Sequence, residues 1–284
     1  MRTDMDIRSL GTLAPRATPV PIVPSESFRS MLARTCTLAT PGVEAEAPQP
    51  TRVELPEVEP FEGLKRGARG ADVSRVQKVL AKWNDKLGVK DTGRYDEATQ
   101  KALTLYKAIY GGQGGGAEID NKTAGYLRQM EDGSFWDNPP EKTPAQSMLY
   151  HASRQLGVPY RLGGDGKSST DCGMLTSSAL RQAGVDDTPS RLADLQYLAA
   201  RQNQGGLSFR RQHPESGDLV FFNVPTRQSH LAYNGVTHVG MYVGDGLMLA
   251  ASSSAGKVVM QPVNQLGDYV AGYGRPEGPA LASF

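Results

Sequence analysis

An α+β chain is predicted, with two short helices leading into antiparallel strands, a separate small all-helical domain ahead of them, and a disordered arm at the N-terminus. Three observations predict it. Beyond residue 216, short apolar runs are bounded by glycine and turn residues, the pattern of strands. Between 147 and 183, apolar residues recur at helical spacing in two stretches. Between 61 and 130, helical periodicity is sustained, and the pattern DxxTxxxL occurs at Asp96 and again 24 residues later at Asp120.

Composition limits the alternatives. A chain of 284 residues is long for one ordinary domain. Its 38% hydrophobic and 21% charged residues are globular values, and a net charge of +1 removes any general electrostatic case for nucleic acid or an anionic membrane. The two cysteines, Cys36 and Cys172, cannot make a disulfide framework, and neither belongs to a CxxC metal pair. Neither a metal nor a cofactor is expected. No apolar run reaches the roughly 18 residues of a membrane span, and no N-terminal apolar stretch with a small-residue cleavage site is visible.

The division is expected to be an arm at 1–60, a helical domain at 61–130, a linker at 131–146 and a larger domain at 147–284. Nine prolines between Pro15 and Pro60 break any long helix or central strand in the arm. Its one ordered stretch would be a helix over 25–38, with Phe28, Met31, Leu32 and Cys36 at helical spacing. Such a helix is either transient or a docking or secretion element for a larger machine. In the helical domain, Val73, Val76, Val79, Leu80 and Trp83 share one face. At both DxxTxxxL copies, the aspartate is placed to cap a helix and the leucine to turn inward one step later. The glycines of 111–116 form a surface loop; no Lys-Ser/Thr follows them and no strand precedes, so they do not cradle phosphate. The motifs LKRGARGADV at 64–73, VQxxL at 76–80 and TGRYDxxT at 92–99 resemble the small helical peptidoglycan-binding domain appended to wall hydrolases.

In the larger domain, a helix over 147–156 is stopped by Gly157 and Pro159, and a second runs over 173–183 behind Asp171 and Cys172. Cys172 therefore stands at a helix N-terminus. There the helix dipole and the unpaired N–H groups favour the thiolate, lowering its pKa from about 8.5. Strands are expected over 216–222, 237–243, 247–251 and 258–260, forming a meander. Alternation puts His238, Gly240 and Tyr242 on one face of the second strand, with His238 at its start. A cysteine nucleophile and a histidine base can meet across that junction.

Five motifs in order, VPYRLGG at 158–164, Asp171-Cys172, SGDLVFF at 216–222, HVGMYVGDG at 238–246 and YVAGY at 269–273, resemble the NlpC-type cysteine peptidases of bacterial cell walls. The resemblance implies a papain-like fold with N-terminal helices packed on an antiparallel sheet. It implies cleavage of a stem-peptide amide, beside D-glutamate, without a metal. Cys172 becomes the nucleophile, His238 the base and Tyr160 a contributor to the oxyanion site. Asp171, Gly173 and His230 are assigned to substrate contact, the last on a long loop overhanging the cleft. The polar residue that orients the histidine in this family falls twelve residues after it, where this chain has Ala250. Ser252 and Gln261 are the candidate substitutes. Gly173 and Met174 replace the small polar residue and the glycine that usually follow the cysteine.

The implied activity is a peptidoglycan endopeptidase, with the stem peptide and glycan as partners. The rival readings are a retired, wall-binding component of a tail, flagellar or injection apparatus, and a wall amidase or acyltransferase. A monomer acting in the envelope is expected, with the arm docking to a delivery machine or the protein released by lysis or injection.

Overall fold

The structure, a computed structural model, describes residues 61–111, 115, 118–225 and 235–278. They belong to one unit, Pro56–Phe284. The arm at 1–60 with Cys36, most of the glycine loop, and His230 lie outside the described residues.

Helix α1 (Ala71–Trp83) buries Val73, Val76, Val79, Leu80 and Trp83, the face read from the sequence. Its Gln77 is also fully buried, and this explains why the motifs around it go together. The side-chain N–H group donates to Thr92 Oγ1 at 3.1 Å, the Arg94 carbonyl at 2.9 Å and Thr99 Oγ1 at 2.9 Å. Its oxygen accepts from the N–H groups of Thr92 and Gly93, both at 2.9 Å. One amide thus holds a whole turn against the helix.

A 3-10 turn (Asp85–Leu87) follows, then α2 (Glu97–Tyr106), running on as a π-helical turn (Lys107–Gly111), and α3 (Asn121–Asp132). Asp96 caps α2 by accepting the Thr99 N–H at 2.9 Å, and Asp120 caps α3 by accepting the Thr123 N–H at 2.8 Å. Leu103 and Leu127, the last positions of the repeated pattern, are fully buried. Trp83, Tyr106, Tyr110 and Phe135 stack in sequence with ring centroids 5.1 Å apart at each step.

Phe135 belongs to 131–146, where a linker was expected. That stretch is partly built in: α3 runs to Asp132, a 3-10 turn (Ser134–Trp136) buries Phe135, and α4 (Pro144–Ser153) starts before 147. The earlier start has a local cause, a capping box between Thr143 and Gln146 with Pro144 in the first turn.

Helices α5 (Cys172–Gln182) and α6 (Ala193–Arg201) precede a six-stranded antiparallel sheet. Its strands are β1 (Leu207–Arg210), β2 (Leu219–Phe222), β3 (His238–Gly244), β4 (Leu247–Ser252), β5 (Lys257–Pro262) and β6 (Val270–Pro276), in the order β1-β6-β2-β3-β4-β5. The expected meander is β2 to β5. The last strand corrects that picture by returning to lie between β1 and β2. Glycines permit its close fit: a Cβ on Gly272 would come within 2.5 Å of the Phe209 ring. One sheet face, with Leu219, Phe221, Val239, Met241, Leu249 and Ala251, meets the helices; the other carries Val220, Phe222, Val224, Met248 and Ala250.

The helical segment is hydrogen-bonded to the rest of the unit. Asn84 Nδ2 donates to the Ser153 carbonyl at 3.2 Å, Lys86 Nζ to the Arg154 carbonyl at 2.8 Å, and Thr104 Oγ1 to Asp245 Oδ2 at 3.1 Å. Among the described residues, no helix is long and apolar enough to cross a membrane.

Asp218 of the SGDLVFF motif sits at the head of β2. Its carboxylate accepts from Arg275 Nε and Nη2, both at 3.2 Å, and from the Glu215 N–H at 2.9 Å. It is 1% exposed and locks β2 to β6. Asp218→Asn is expected to lower stability by about 2 kcal/mol, since it weakens two charge-assisted bonds at a buried carboxylate while Arg275 keeps Glu215. Glu215→Gln, removing an exposed partner of the same arginine, is expected to cost about 0.5 kcal/mol. Urea denaturation of the two variants checks the contrast.

Candidate active site

Two backbone pairings set the site. Residues 159 and 160 lie in an extended segment that bridges in two directions: Pro159 pairs with Lys257 at the start of β5, and Tyr160 pairs with Thr170. The Thr170 N–H donates to the Pro159 carbonyl and the Arg161 N–H to the Thr170 carbonyl, both at 2.9 Å. The loop between them, 161–169, is thereby closed at its base, two residues ahead of Cys172. Within it Asp165 accepts N–H bonds from Lys167, Ser168 and Ser169. These bonds, with the Ser168 hydroxyl, hold its carboxyl well below the usual carboxylate range.

Cys172 is the first residue of α5 and is half-buried. Asp171 caps that helix: Oδ1 accepts the Met174 N–H and Oδ2 the Gly163 N–H, both at 2.8 Å. Substrate contact was expected of Asp171, but its carboxylate is buried and occupied by these two backbone groups, so it positions the loop and helix instead. Gly173 is corrected in the same way. It is buried, and a Cβ there would come within 1.8 Å of the Arg191 carbonyl oxygen, so it is the residue that lets the segment before α6 press on α5. Met174 lies against the loop, its Sδ 3.1 Å from where a Gly166 Cβ would be.

His238 opens β3 and is 1% exposed. It pairs with Phe222 of β2, and the two rings lie 5.8 Å apart. The β3–β4 ladder begins at Met241–Leu249, three residues after His238 on one strand and three before Ser252 on the other, and Ser252 pairs in turn with Lys257. Lys257 is the residue that bridges to Pro159. The start of β3, the end of β4, the start of β5 and the segment entering α5 therefore meet at one end of the sheet. Helix α5 then packs back over β4 and β3.

The same register separates the two substitutes for the missing polar residue. Gln261 pairs with Met248, and Met248 with Tyr242, four residues along β3 from His238. At about 3.3 Å per residue this is about 13 Å, beyond hydrogen-bond reach of the imidazole. Ser252 ends β4 at the end of the sheet where His238 opens β3. Its Oγ accepts the Ala255 N–H at 3.2 Å and lies 3.0 Å from Ser254 Oγ. Ala250 is fully buried with Val220, Phe222, Val224 and Met248, and its Cβ is 3.4 Å from where a Gly240 Cβ would stand. Position 250 is a packing position in an apolar cluster.

The NlpC/P60 family model matches residues 157–270, which begin just before the VPYRLGG motif and end in YVAGY. The peptidoglycan endopeptidase RipB of Mycobacterium tuberculosis is 31% identical over 187 residues, covering 60% of this chain and 69% of that one. The chain belongs to the NlpC/P60 family. A probable endopeptidase p60 of Listeria grayi is 32% identical over 130 residues, 45% of this chain and 22% of that protein. This NlpC/P60 chain thus spans about a fifth of the length of the Listeria relatives it matches. A solved P60 domain of an antigen from Mycobacterium avium subspecies paratuberculosis is 29% identical, with 47% of this chain and 95% of that one covered and a TM-score of 0.37.

Gln196 and Arg191 escape a reading of the sequence. Gln196 Nε2 donates to the Gly173 carbonyl at 3.1 Å and the Ser190 carbonyl at 2.7 Å, and its Oε1 accepts from Thr176 Oγ1 at 2.8 Å. It fastens the 190–192 segment to α5. Spacing along the chain marks neither residue, because their N–H groups donate to backbone carbonyls, which have no sequence signature.

Proposed function

We propose that this protein is a peptidoglycan hydrolase, a cysteine endopeptidase that cleaves a stem-peptide amide on the carbonyl side closed by D-glutamate. The single observation that carries the reading is the placement of Cys172 at the N-terminus of a capped helix, at the sheet end where His238 begins β3. The names borne by its relatives, peptidoglycan endopeptidase and γ-D-glutamyl-L-lysine dipeptidyl-peptidase, supply the substrate class.

The chemistry follows from the elements. The first N–H groups of α5 have no intrahelical acceptor, and the positive end of its dipole favours a thiolate at Cys172. The thiolate attacks the amide carbon, and the C–N bond breaks as His238 delivers its proton to the leaving amine. Water then attacks the thioester with the imidazole as base, releasing the acid and restoring the thiol. The oxyanion is met by backbone N–H groups at the start of α5 and by Tyr160, whose main chain is tied to Thr170. Of the two candidate orienting groups, Ser252 is assigned the role; in support, it ends β4 at the end of the sheet where His238 opens β3. The helical segment at 61–130 is assigned to wall binding on its motifs, and the arm to delivery.

The test is digestion of purified sacculi with the intact protein, read by mass spectrometry of the released fragments. New amino termini on the residue after γ-glutamate are expected. Fragments cleaved at the glycan-peptide junction would make the protein an amidase, and binding without any release would make it a wall-docking component. Either result overturns the proposal.

A further inference from the structure

We propose that the cleft beside strand β5 is a docking site for an extended acidic peptide of a partner protein, which adds to the open end of that strand. The inference does not rest on the hydrolase reading, because Cys172, His238 and Tyr160 are not among the residues that line the cleft.

Strand β5 is an edge of the sheet. Its first half is covered: the Tyr160 N–H donates to the Gly256 carbonyl at 2.8 Å, the Gly157 N–H to the Val258 carbonyl at 2.9 Å, and the Val258 N–H to the Val158 carbonyl at 2.9 Å. The cover ends there, since the chain before Gly157 turns back toward the end of α4, with the Leu156 N–H bonded to the Ser153 carbonyl at 3.3 Å. Backbone groups on one side of a strand recur every second residue, so Met260 presents its N–H and carbonyl in the same direction as Val258. They meet a cleft of about 560 Å³ between β5 and the helical segment. A strand edge left open beside a ready-made cleft is a template for a further strand.

The lining selects the kind of strand. Leu156, Val258 and Met260 make an apolar wall, around which stand Lys86, Lys101 and Lys257, with Glu97 as the single acidic residue. Glu97 is taken by Lys101 at 2.7 Å. Lys86 is held in place by donating to the Arg154 carbonyl at 2.8 Å, which leaves the rest of its ammonium for a ligand, and Lys257 is exposed. Among the described residues, neither Lys86 nor Lys257 meets a carboxylate. In a chain whose net charge is only +1, this is a local excess of positive charge over an apolar wall, beside open backbone groups. An extended chain alternates its side chains between two faces, so a segment of alternating apolar and acidic residues satisfies the wall and the lysines together. An anionic polymer without a peptide backbone satisfies the lysines alone.

The experiment titrates the intact protein with a fluorescent octapeptide of alternating valine and glutamate, read by anisotropy, and follows hydrogen exchange at the Met260 N–H in parallel. Saturable binding that weakens with ionic strength is expected, together with slowed exchange at Met260. Lys86→Gln combined with Lys257→Gln is expected to weaken binding by about 5-fold to 20-fold, the range for two partly exposed ion pairs, with the thermal midpoint unchanged. Two further peptides carry backbone N-methyl groups on the valines or on the glutamates. Because an added strand pairs with its neighbour at every second residue, only one of these two is expected to bind. Equal binding of both, or tighter binding of inorganic polyphosphate than of the octapeptide, would show a site for polyanions in general and overturns the proposal. It is also overturned by an absence of saturable binding, by unchanged binding in the double variant, and by unaltered exchange at Met260 in the bound state.

Discussion

Cys172→Ala is expected to abolish the release of new amino termini from sacculi, with a rate loss of about four to six orders of magnitude, the range for removing a covalent nucleophile. The thermal midpoint is expected to stay within about 2 °C of the parent, because Cys172 is half-buried and alanine is a good helix former. The loss therefore reports chemistry and not folding. His238→Ala makes a less clean comparison, since His238 is buried against Phe222 and its removal leaves a cavity. A Cys172→Ala protein that digests at the parental rate would place the nucleophile elsewhere.

Gly173→Ser has the largest expected effect on structure. Serine is the residue type that the family pattern favours after the cysteine, so on sequence grounds the change should be neutral or beneficial. The structure predicts the opposite. Any Cβ at 173 meets the Arg191 carbonyl at 1.8 Å, a backbone atom that cannot swing aside as a side chain would. Either α5 or the 190–192 segment must shift, breaking the Gln196 bonds to Gly173 and Ser190. The cost is expected to be about 3 kcal/mol or more, as for other overpacked core positions. Urea denaturation measures it, and Gly173→Ala supplies the control. Because the clash lies in the Cβ, alanine and serine should destabilise alike; a serine variant as stable as the parent would show that the segment yields.

Both predictions mark where sequence reasoning stops. The candidate nucleophile was legible because a cysteine after a capping aspartate at a helix start is a local pattern. The repeat at Asp96 and Asp120 was legible for the same reason: a cap and its N–H partner lie three residues apart. The strands from β2 to β5 could be read from short apolar runs between turns. Helix α6 and β1 carry weaker patterns, and the place of β6 between β1 and β2 was not readable at all, since strand order depends on pairings far apart in the chain. The choice between Ser252 and Gln261 turned on register, which spacing along the chain does not contain.

By itself the sequence determined the α+β class, the helix start that carries Cys172, the strand start that carries His238, and the family motifs around them. Each is a matter of neighbours within a few residues, where dihedral preference, capping and side-chain alternation act directly. Only the tertiary structure decided what Asp171 and Gly173 do, that position 250 is packed in an apolar cluster, and that Arg191 stands across the entrance to α5. Those outcomes depend on backbone carbonyls and amides meeting across long loops. Such groups are the same in every residue, so no side-chain pattern in the chain announces where they will lie.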